Sequence, residues 1–321
     1  MTAAPKENPM TSIIQWMEAL ETKKTENPSD LRYRIQWRKN EPMSRHTTFR
    51  IGGSAVLYAV CETVEALAML TGECRDSGIR YIILGNGSNV LFSDEGFEGI
   101  VISMTGLNRV EITDTSIMAE AGASLTAVSK TARDASLTGM EFAHGIPGSI
   151  GGAVFMNAGA YDGEMKNIVA ESTYLDTKDG TVHTIAGDAH DFGYRESIYR
   201  SHPEWIILSA RLSLSQGNKE EITAKMDDFM QRRISKQPLE YPSAGSVFKR
   251  YPGRYTAQMI DESGLKGASV GGAQVSEKHA GFIINTGNAT CRDVTELIDI
   301  IRNKIEENYG IRIECELIRL P

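Results

Sequence analysis

Apolar residues recur at helical spacing in three parts of the chain, each followed by a glycine. From Val64 they predict a helix that ends near Gly78, a residue suited to the left-handed position after a helix. A second helix is predicted to end at Gly139 and to bury a face made of Leu125, Val128 and Ala132. The strongest pattern lies near the C-terminus, where a helix before Gly310 is predicted to bury Val294, Leu297, Ile298, Ile301 and Ile305.

Short apolar runs bounded by turn residues predict strands. These runs are Tyr81–Leu84, Ile100–Ser103, Val182–Ile185, Trp205–Leu214 and Ile311–Leu320. Asp179-Gly180 predicts a hairpin turn just before the third of these strands.

The same patterns suggest where the chain divides. Ile13–Leu20 predicts a short helix that Asn27–Asp30 breaks, and we expect residues 1–42 to form a peripheral N-terminal extension. A polar helix is predicted over Lys219–Ser235, just after the break at Gln216-Gly217-Asn218. We therefore expect a large unit over residues 43–216 and a smaller C-terminal unit over residues 217–321.

Composition and charge narrow the class of protein. A length of 321 residues suggests two or three domains, and 41% hydrophobic and 24% charged residues are typical of a globular protein. The net charge of −8 argues against a general nucleic-acid binder. Neither a signal peptide nor a membrane-spanning run is predicted. The cysteines at 61, 74, 291 and 315 lack metal-ligand spacing, so we expect no metal site, and reduced thiols in a cytoplasmic protein.

Two glycine-rich loops carry the clearest chemical signal. Leu84–Phe97 reads LGNGSNVLFSDEGF, and Gly145–Gly159 reads GIPGSIGGAVFMNAG. Loops of small residues let backbone N–H groups approach a phosphate or a flat ring without a colliding β-carbon. The first loop is neither a P-loop nor a GxGxxG fingerprint. Together with a third such segment, Thr48–Gly53, they indicate a large cofactor that is held from two sides.

These segments resemble one enzyme family. TTFRIGGSA (47–55), LGNGSNVLFSDEGFEGIVI (84–102) and GMEFAHGIPGSIGGAVFMNAGAYDGEM (139–165) are similar to motifs of the UDP-N-acetylenolpyruvoylglucosamine reductase family. The similarity continues through three further segments: DFGYRESIY (191–199), KQPLEYPSAGSVFKR (236–250) and IDESGLKGASVGGAQVSEKHAGFIINTGNAT (260–290). It covers about residues 47–320, and the absence of an inserted loop in the last domain is similar to the shorter of the two subtypes.

The resemblance implies a fold and a reaction. The fold would be α+β: an FAD-binding domain of the vanillyl-alcohol-oxidase type, in subdomains at about 43–106 and 107–216, followed by a smaller α+β substrate-binding domain. In the reaction, NADPH would reduce a non-covalently bound FAD. The reduced flavin would then convert an enolpyruvyl ether on a UDP-sugar into UDP-N-acetylmuramate, a peptidoglycan precursor. A monomer is favoured, and no nucleic-acid or membrane partner is expected.

Two other functions stay open at this stage. One is another FAD-dependent oxidase of the same superfamily, acting on a sugar or a lactone and reacting quickly with oxygen once reduced. The other is a flavin-binding sensor or scaffold without catalysis, which would fit only if the family's catalytic positions were empty.

The resemblance also implies the catalytic residues. Arg195 matches the family's catalytic arginine, whose planar fork suits a carboxylate. Ser246 matches the proton donor, a weak acid that needs support from its neighbours. Glu316 matches the catalytic glutamate, acting with Arg195 as a neutral acid with a raised pKa.

The last strand also raises two questions. Strand periodicity would place Glu314 and Glu316 on the same face, and the family pattern selects Glu316. The family usually has an arginine two residues after this glutamate, where this chain has Ile318 followed by Arg319. Either a bulge turns Arg319 towards the site, or another basic residue takes over its task.

The remaining site predictions follow from the loops and from charge. Cofactor contacts are expected from Arg50, Ile51, Gly52, Gly85, Asn86, Gly87, Ser88, Asn89, Gly148, Ser149, Gly151 and Gly152. Substrate contacts are expected from Lys236, Lys249, Arg250 and Gln274. His144 is expected to be packed or to face solvent rather than to contact the flavin.

Overall fold

The computed structural model describes residues 9–321, which fold into three units. The first unit contains a four-stranded sheet of order β1-β2-β5-β3, in which β1 runs antiparallel and the other strands are parallel. Its elements are α1 (Pro9–Glu26), β1 (Ile35–Pro42), β2 (Ser54–Cys61), α2 (Val64–Ser77), β3 (Tyr81–Leu84), β4 (Val90–Phe92) and β5 (Phe97–Ser103). The helix predicted from Val64 is confirmed, because Thr63 caps its start and Gly78 ends it at φ 67°.

The N-terminal segment belongs to this unit from α1 onward. Strand β1 pairs with β2 along its whole length, from Ile35 opposite Cys61 to Pro42 opposite Ser54. Ile13 of α1 is buried in the core that also includes the sheet. The expectation that residues 1–42 are peripheral is therefore wrong for this part. The predicted helix break is confirmed, because α1 ends at Glu26.

The second unit contains a five-stranded antiparallel sheet of order β12-β11-β13-β7-β6 and shares one hydrophobic core with the first. Its elements are β6 (Val110–Thr113), β7 (Ser116–Glu120), α3 (Leu125–Asp134), β8 (Leu137–Thr138), α4 (Ile150–Phe155), β9 (Gly159–Ala160), β10 (Gly163–Glu164), β11 (Val169–Asp176), β12 (Thr181–Ala186), β13 (Trp205–Ser213) and β14 (Ser215–Gln216). Helix α3 ends at Asp134 rather than at Gly139, because the next residues leave the helix to pair as β8 with β14.

The third unit contains a four-stranded antiparallel sheet of order β15-β18-β17-β16, packed against α7. The elements of the last part of the chain are α5 (Lys219–Lys236), β15 (Ser243–Ser246), α6 (Thr256–Glu262), β16 (Ser269–Val270), β17 (Ala273–Val275), β18 (Phe282–Asn285), α7 (Cys291–Tyr309) and β19 (Ile318–Leu320). Helix α7 confirms the strongest sequence pattern: Thr290 and Asp293 form a capping box, and Gly310 ends the helix at φ 66°.

The boundary before the third unit lies later than the sequence suggested. Helix α5 buries Phe229 in the core of the first two units, and Tyr161 of the second unit stacks on that ring. We therefore place α5 with the second unit. At the other end, only Ile318–Leu320 of the last predicted strand forms β19, which pairs in parallel with β4 of the first unit.

Polar contacts fix the third unit to the first. The Asp94 carboxylate accepts the N–H groups of Cys291 (2.7 Å) and Arg292 (3.0 Å) at the start of α7. The Thr48 hydroxyl donates to the Ser243 carbonyl at 2.7 Å. The third unit is thereby held against the segment Thr48–Gly53.

Within residues 9–321, no helix is both long and apolar enough to span a bilayer. In the same range, no acidic, histidine and cysteine side chains cluster as metal ligands, and all four cysteines are unpaired.

Candidate active site

The two glycine-rich loops meet, as their composition predicted. The Asn86 side-chain amide donates to the Pro147 carbonyl at 3.3 Å, and a β-carbon on Gly85 would collide with the Ser149 hydroxyl. The third segment joins them, because the Thr48 N–H donates to the Gly87 carbonyl at 3.1 Å. The three glycine-rich segments therefore surround one place in the fold.

The first loop has the backbone donors that a pyrophosphate requires. Within residues 9–321, the N–H groups of Asn86, Gly87 and Ser88 donate no hydrogen bond, although Gly87 is buried. A buried or half-buried N–H without a partner is costly unless a ligand or water accepts it. This loop fits a bound FAD, which its backbone and small side chains would hold.

The second loop uses part of its backbone internally. The Gly151 N–H donates to the Ala121 carbonyl at 2.8 Å, and the Gly152 N–H donates to the Ser149 hydroxyl at 3.3 Å. A β-carbon on Gly151 would lie 2.9 Å from the Ala121 β-carbon, so close packing explains this glycine. A β-carbon on Gly148 would make only ordinary contacts, the nearest at 3.8 Å from Ser88 Oγ, so Gly148 remains the better candidate for a cofactor contact.

In the third segment, too, some residues serve packing and others are available to a cofactor. The Ile51 side chain is buried in the core of the third unit, so only its backbone is available to a cofactor. Gly52 has φ +133° and packs against Phe92, whereas Arg50 is exposed with φ 56°. Arg50 is therefore the residue of this segment whose side chain is free to reach a ligand.

We expect Gly87→Ala to lower the flavin content of the purified protein and to reduce its stability by about 1–3 kcal/mol. Gly87 has φ +61°, and a β-carbon there would collide with the His46 carbonyl. Gly180→Ala is the matched control, because Gly180 has φ +75° but open space around it. Flavin absorbance and denaturant unfolding measure both effects, and equal losses in the two variants would contradict a role for crowding at Gly87.

The side chains of Arg195 and Glu316, two of the predicted site residues, are in direct contact. The Arg195 Nε lies 2.6 Å from Glu316 Oε1, and both side chains are largely buried, with 20% and 14% exposed. A terminal nitrogen of Arg195 donates to the Gly159 carbonyl at 3.3 Å. Arg195 has φ 58°, a left-handed conformation that is uncommon for a residue with a side chain and is typical of functional sites. The pairing predicted from the family motifs brings together residues from the second and third units.

Burial raises the pKa of the Glu316 carboxyl, and the positive charge of Arg195 opposes this shift. Lys249 and Arg250 lie close enough to add smaller opposing effects. Glu314 does not share this environment: its side chain is 76% exposed and pairs with Lys249 at 3.3 Å. The two glutamates therefore differ in burial, although Lys249 lies near both of them.

A raised pKa in the folded state makes a testable contribution to stability. The folded protein binds the Glu316 proton more tightly than the unfolded chain, so this contribution is complete below the ordinary glutamate pKa and is lost as pH rises through the raised value. We therefore expect Glu316→Gln to gain stability relative to the unsubstituted protein over that pH range. Denaturant unfolding at a series of pH values measures the difference, and a change in the opposite direction would contradict burial as the dominant cause.

Ser246 lies beside this pair in the fold. It ends β15, opposite Phe282 of β18, and the next residue, Val247, accepts the Glu316 N–H on its carbonyl at 2.8 Å. Asn89 of the first glycine-rich loop supports the same segment, because its side-chain amide donates to the Glu316 carbonyl at 3.1 Å. The structure therefore brings Ser246, Glu316 and one cofactor loop to the same region.

The predicted substrate residues have different surroundings. Lys249 pairs with Glu196 and Glu314, each at 3.3 Å. Arg250 is exposed, and its N–H donates to the Tyr194 hydroxyl at 3.2 Å. Lys236 is exposed in the last turn of α5. The Gln274 amide donates to the Gly267 carbonyl at 3.2 Å, and no described contact joins it to Arg195 or Glu316.

The Arg319 side chain faces α7 rather than Glu316. It interacts with the thiols of Cys291 and Cys315 and lines a cavity of about 220 Å³ beside α7. No bulge interrupts the pairing of β19 with β4. Of the two alternatives for Arg319, the bulge is therefore absent, and among the described residues the basic side chains near Glu316 are those of Arg195, Lys249 and Arg250.

Arg233 is a candidate residue that sequence reasoning missed. It is 8% exposed on α5, pairs with no carboxylate among the described residues, and its Nε has no hydrogen-bond partner there. Its guanidinium lies over the Tyr161 ring at 5.8 Å and beside Gly145 of the second loop. Burial lowers its pKa. The neighbouring His144 is half-buried, with an unpartnered Nδ1. A buried guanidinium without an acid suits an anionic ligand.

Two family models match this chain. Residues 55–186 match the model of an FAD-binding domain, and residues 237–320 match the C-terminal domain of UDP-N-acetylenolpyruvoylglucosamine reductase. The glycine-lined site and these two matches define an FAD-binding oxidoreductase, as the sequence predicted. The second match begins directly after α5, where the packing also places the boundary.

The relatives identify the family. The chain is 49% identical to UDP-N-acetylenolpyruvoylglucosamine reductase from Caldanaerobacter subterraneus subsp. tengcongensis over 87% of this chain and 91% of that protein. It is 48% identical to the enzyme of that name from Syntrophomonas wolfei, over 87% and 93%. The crystal structure of the Thermus caldophilus reductase superposes with a TM-score of 0.76 at 35% identity, covering 90% of this chain and 99% of that one. The chain belongs to the UDP-N-acetylenolpyruvoylglucosamine reductase family.

Proposed function

We propose that this protein uses NADPH and a non-covalently bound FAD to reduce UDP-N-acetylglucosamine enolpyruvate to UDP-N-acetylmuramate, in cytoplasmic peptidoglycan precursor synthesis. The observation that carries the proposal is the buried pair of Arg195 and Glu316, with Ser246 on the neighbouring strand. The flavin, when bound, supplies the hydride. The protein must bind the substrate, stabilise charge at its carboxylate and deliver a proton.

Arg195 and Glu316 match the requirement for charge stabilisation at the substrate carboxylate. Hydride addition to the terminal carbon of the enolpyruvyl group places negative charge on the neighbouring carbon and its carboxylate. A guanidinium that is largely buried and held at a fixed position stabilises such charge without reorganisation. Glu316 aligns the guanidinium and, when protonated, is able to donate a hydrogen bond to the same carboxylate.

Ser246 would deliver the proton to the carbon next to the carboxylate. A hydroxyl is a weak acid, so the transfer requires positive charge nearby to stabilise the oxygen left behind. Arg195, Lys249 and Arg250 supply that charge around the same segment. Gly245, at φ +75° with open space beside it, leaves room for the substrate.

The substrate diphosphate would bind on the side of α5. Arg233 is buried there without an acid, and Lys236 follows it in the last turn of the same helix. Arg250 extends the positive charge from the third unit. Lys249 would contribute less, because Glu196 and Glu314 already neutralise it.

Anaerobic stopped-flow spectroscopy of the flavin signal tests the proposal directly. NADPH should bleach the flavin, and the UDP-enolpyruvyl sugar should restore its colour without oxygen. A protein that lacks flavin after purification and does not take up added FAD would contradict the cofactor assignment. Fast reoxidation by oxygen, with no response to the UDP-sugar, would instead indicate a sugar or lactone oxidase.

A further inference from the structure

One buried asparagine joins the second glycine-rich loop to the turn that carries Arg195. Asn157 lies two residues after α4, is 0% exposed, and has φ 41°. The two amide hydrogens and the side-chain oxygen all have partners within the described chain. Such a fully bonded buried amide is a rigid connection. Any replacement of it leaves at least one buried group without a hydrogen-bond partner.

The Asn157 side chain contacts two separate segments of the chain. Its Nδ2 donates to the Gly193 carbonyl at 2.8 Å and to Glu164 Oε2 at 2.9 Å. Its Oδ1 accepts the Lys166 N–H at 2.9 Å. The Glu164 and Lys166 contacts hold the hairpin of β9 and β10, whereas the Gly193 contact joins Asn157 to the turn that carries Arg195.

The turn itself is short and strained. Gly193 and Glu196 form an antiparallel bridge, with Tyr194 and Arg195 between them. Within the bridge, the Gly193 carbonyl accepts the Glu196 N–H at 3.3 Å, which is longer than its bond to Asn157. Because Arg195 is left-handed at φ 58°, the turn requires external support to persist.

A second anchor holds the other end of this turn. The buried Ser197 hydroxyl donates to the Phe155 carbonyl at 2.7 Å. Both anchors therefore come from the end of α4, whose start lies at Ser149 in the second glycine-rich loop. The position of Arg195 depends on the same short helix that the cofactor loop leads into.

We propose that Asn157 is a positioning residue, which sets the orientation of the Arg195 guanidinium through the Gly193 carbonyl. This inference rests on the proposed function, in which Arg195 stabilises charge on the substrate carboxylate. A displacement of Arg195 by about 1 Å is enough to slow such a step by about 10²-fold. Reduction of the flavin by NADPH does not require that contact.

An exchange of acid and amide isolates the Gly193 contact. The double substitution Asn157→Asp with Glu164→Gln preserves a hydrogen bond between these two side chains and the acceptor for the Lys166 N–H, but leaves the Gly193 carbonyl without its donor. We expect flavin content and NADPH reduction to remain within about 2-fold, and reoxidation by the UDP-enolpyruvyl sugar to slow by about 10–100-fold. Glu164→Gln alone is the matched control, because it retains the Gly193 contact.

A double-mutant cycle with Arg195→Lys separates positioning from general damage. If Asn157 acts through Arg195, the combined variant should be no more than about 3-fold slower than Arg195→Lys alone. Effects that multiply would overturn the inference, as would normal reoxidation in the exchange variant. If that variant fails to fold, Asn157→Gly, which tolerates the left-handed backbone, takes its place.

The same measurements distinguish the inference from the proposed function. An unsubstituted protein that the UDP-enolpyruvyl sugar does not reoxidise would contradict both. An active unsubstituted protein with an unaffected exchange variant would contradict only the role of Asn157.

Discussion

Ser246→Ala should leave reduction of the flavin by NADPH nearly intact and slow its reoxidation by the UDP-enolpyruvyl sugar by about 10²–10⁴-fold. Alanine removes only the hydroxyl, and no described residue forms a hydrogen bond with that hydroxyl, so the fold should not change. The loss would therefore appear in proton delivery alone. Anaerobic stopped-flow measurement of each half-reaction separates the two steps.

Ser243→Ala is the matched control for this substitution. Ser243 begins the strand that Ser246 ends, and its contact with Thr48 uses its backbone carbonyl rather than its hydroxyl. The Ser243→Ala variant should therefore react like the unsubstituted protein in both half-reactions. An equal loss of both half-reactions in Ser246→Ala would identify Ser246 as structural. A solvent deuterium isotope effect on reoxidation that disappears in the variant would strengthen the assignment.

Glu316→Gln should slow the same oxidative half-reaction by about 10²-fold or more, with little effect on reduction by NADPH. Glutamine matches the size of glutamate but carries no charge and has no acidic proton to share with the substrate carboxylate. It also leaves the Arg195 guanidinium without the carboxylate that lies 2.6 Å from its Nε. Orientation and charge at the substrate would be lost together.

Glu314→Gln is the control that the structure offers for this prediction. Glu314 lies on the same segment, but its side chain is exposed and contacts only Lys249 among the described residues. An exposed ion pair of this kind contributes little. We expect rates within about 2-fold of the unsubstituted protein. If Glu314→Gln were the more damaging of the two, the assignment of Glu316 would be wrong.

Much of the site was predictable because it depends on local sequence. Glycines at positive φ and in tight contacts leave a recognisable spacing, and this spacing identifies the loops around Gly87 and Gly148 from the sequence. Apolar periodicity likewise identifies α2 and α7 with their terminal glycines. Family motifs then select Arg195 and Glu316, which the structure brings together.

Other features were not predictable, because long-range packing decides them. Residues 1–42 were expected to be peripheral because the sequence does not show which segment α1 and β1 pack against. Both become buried only through their contacts with β2 and its neighbours. Helix α5 was predicted to begin the C-terminal unit because most of its residues are polar. The few residues that enter the shared core are not evident from that pattern. Arg233 carried no signal at all, because its lack of an acidic partner is a property of the fold.

The sequence by itself determined the family, the glycine-rich loops and the residue types of the proposed catalytic set, since these depend on local spacing along the chain and on the conformational freedom of glycine. Only the tertiary structure decided that Arg195 meets Glu316 across 121 positions of sequence, that Glu314 faces solvent, and that Arg319 faces α7. The physical reason is that side-chain direction near the C-terminus follows from the pairing of β19 with β4 and from the bonds to Val247, which link distant segments.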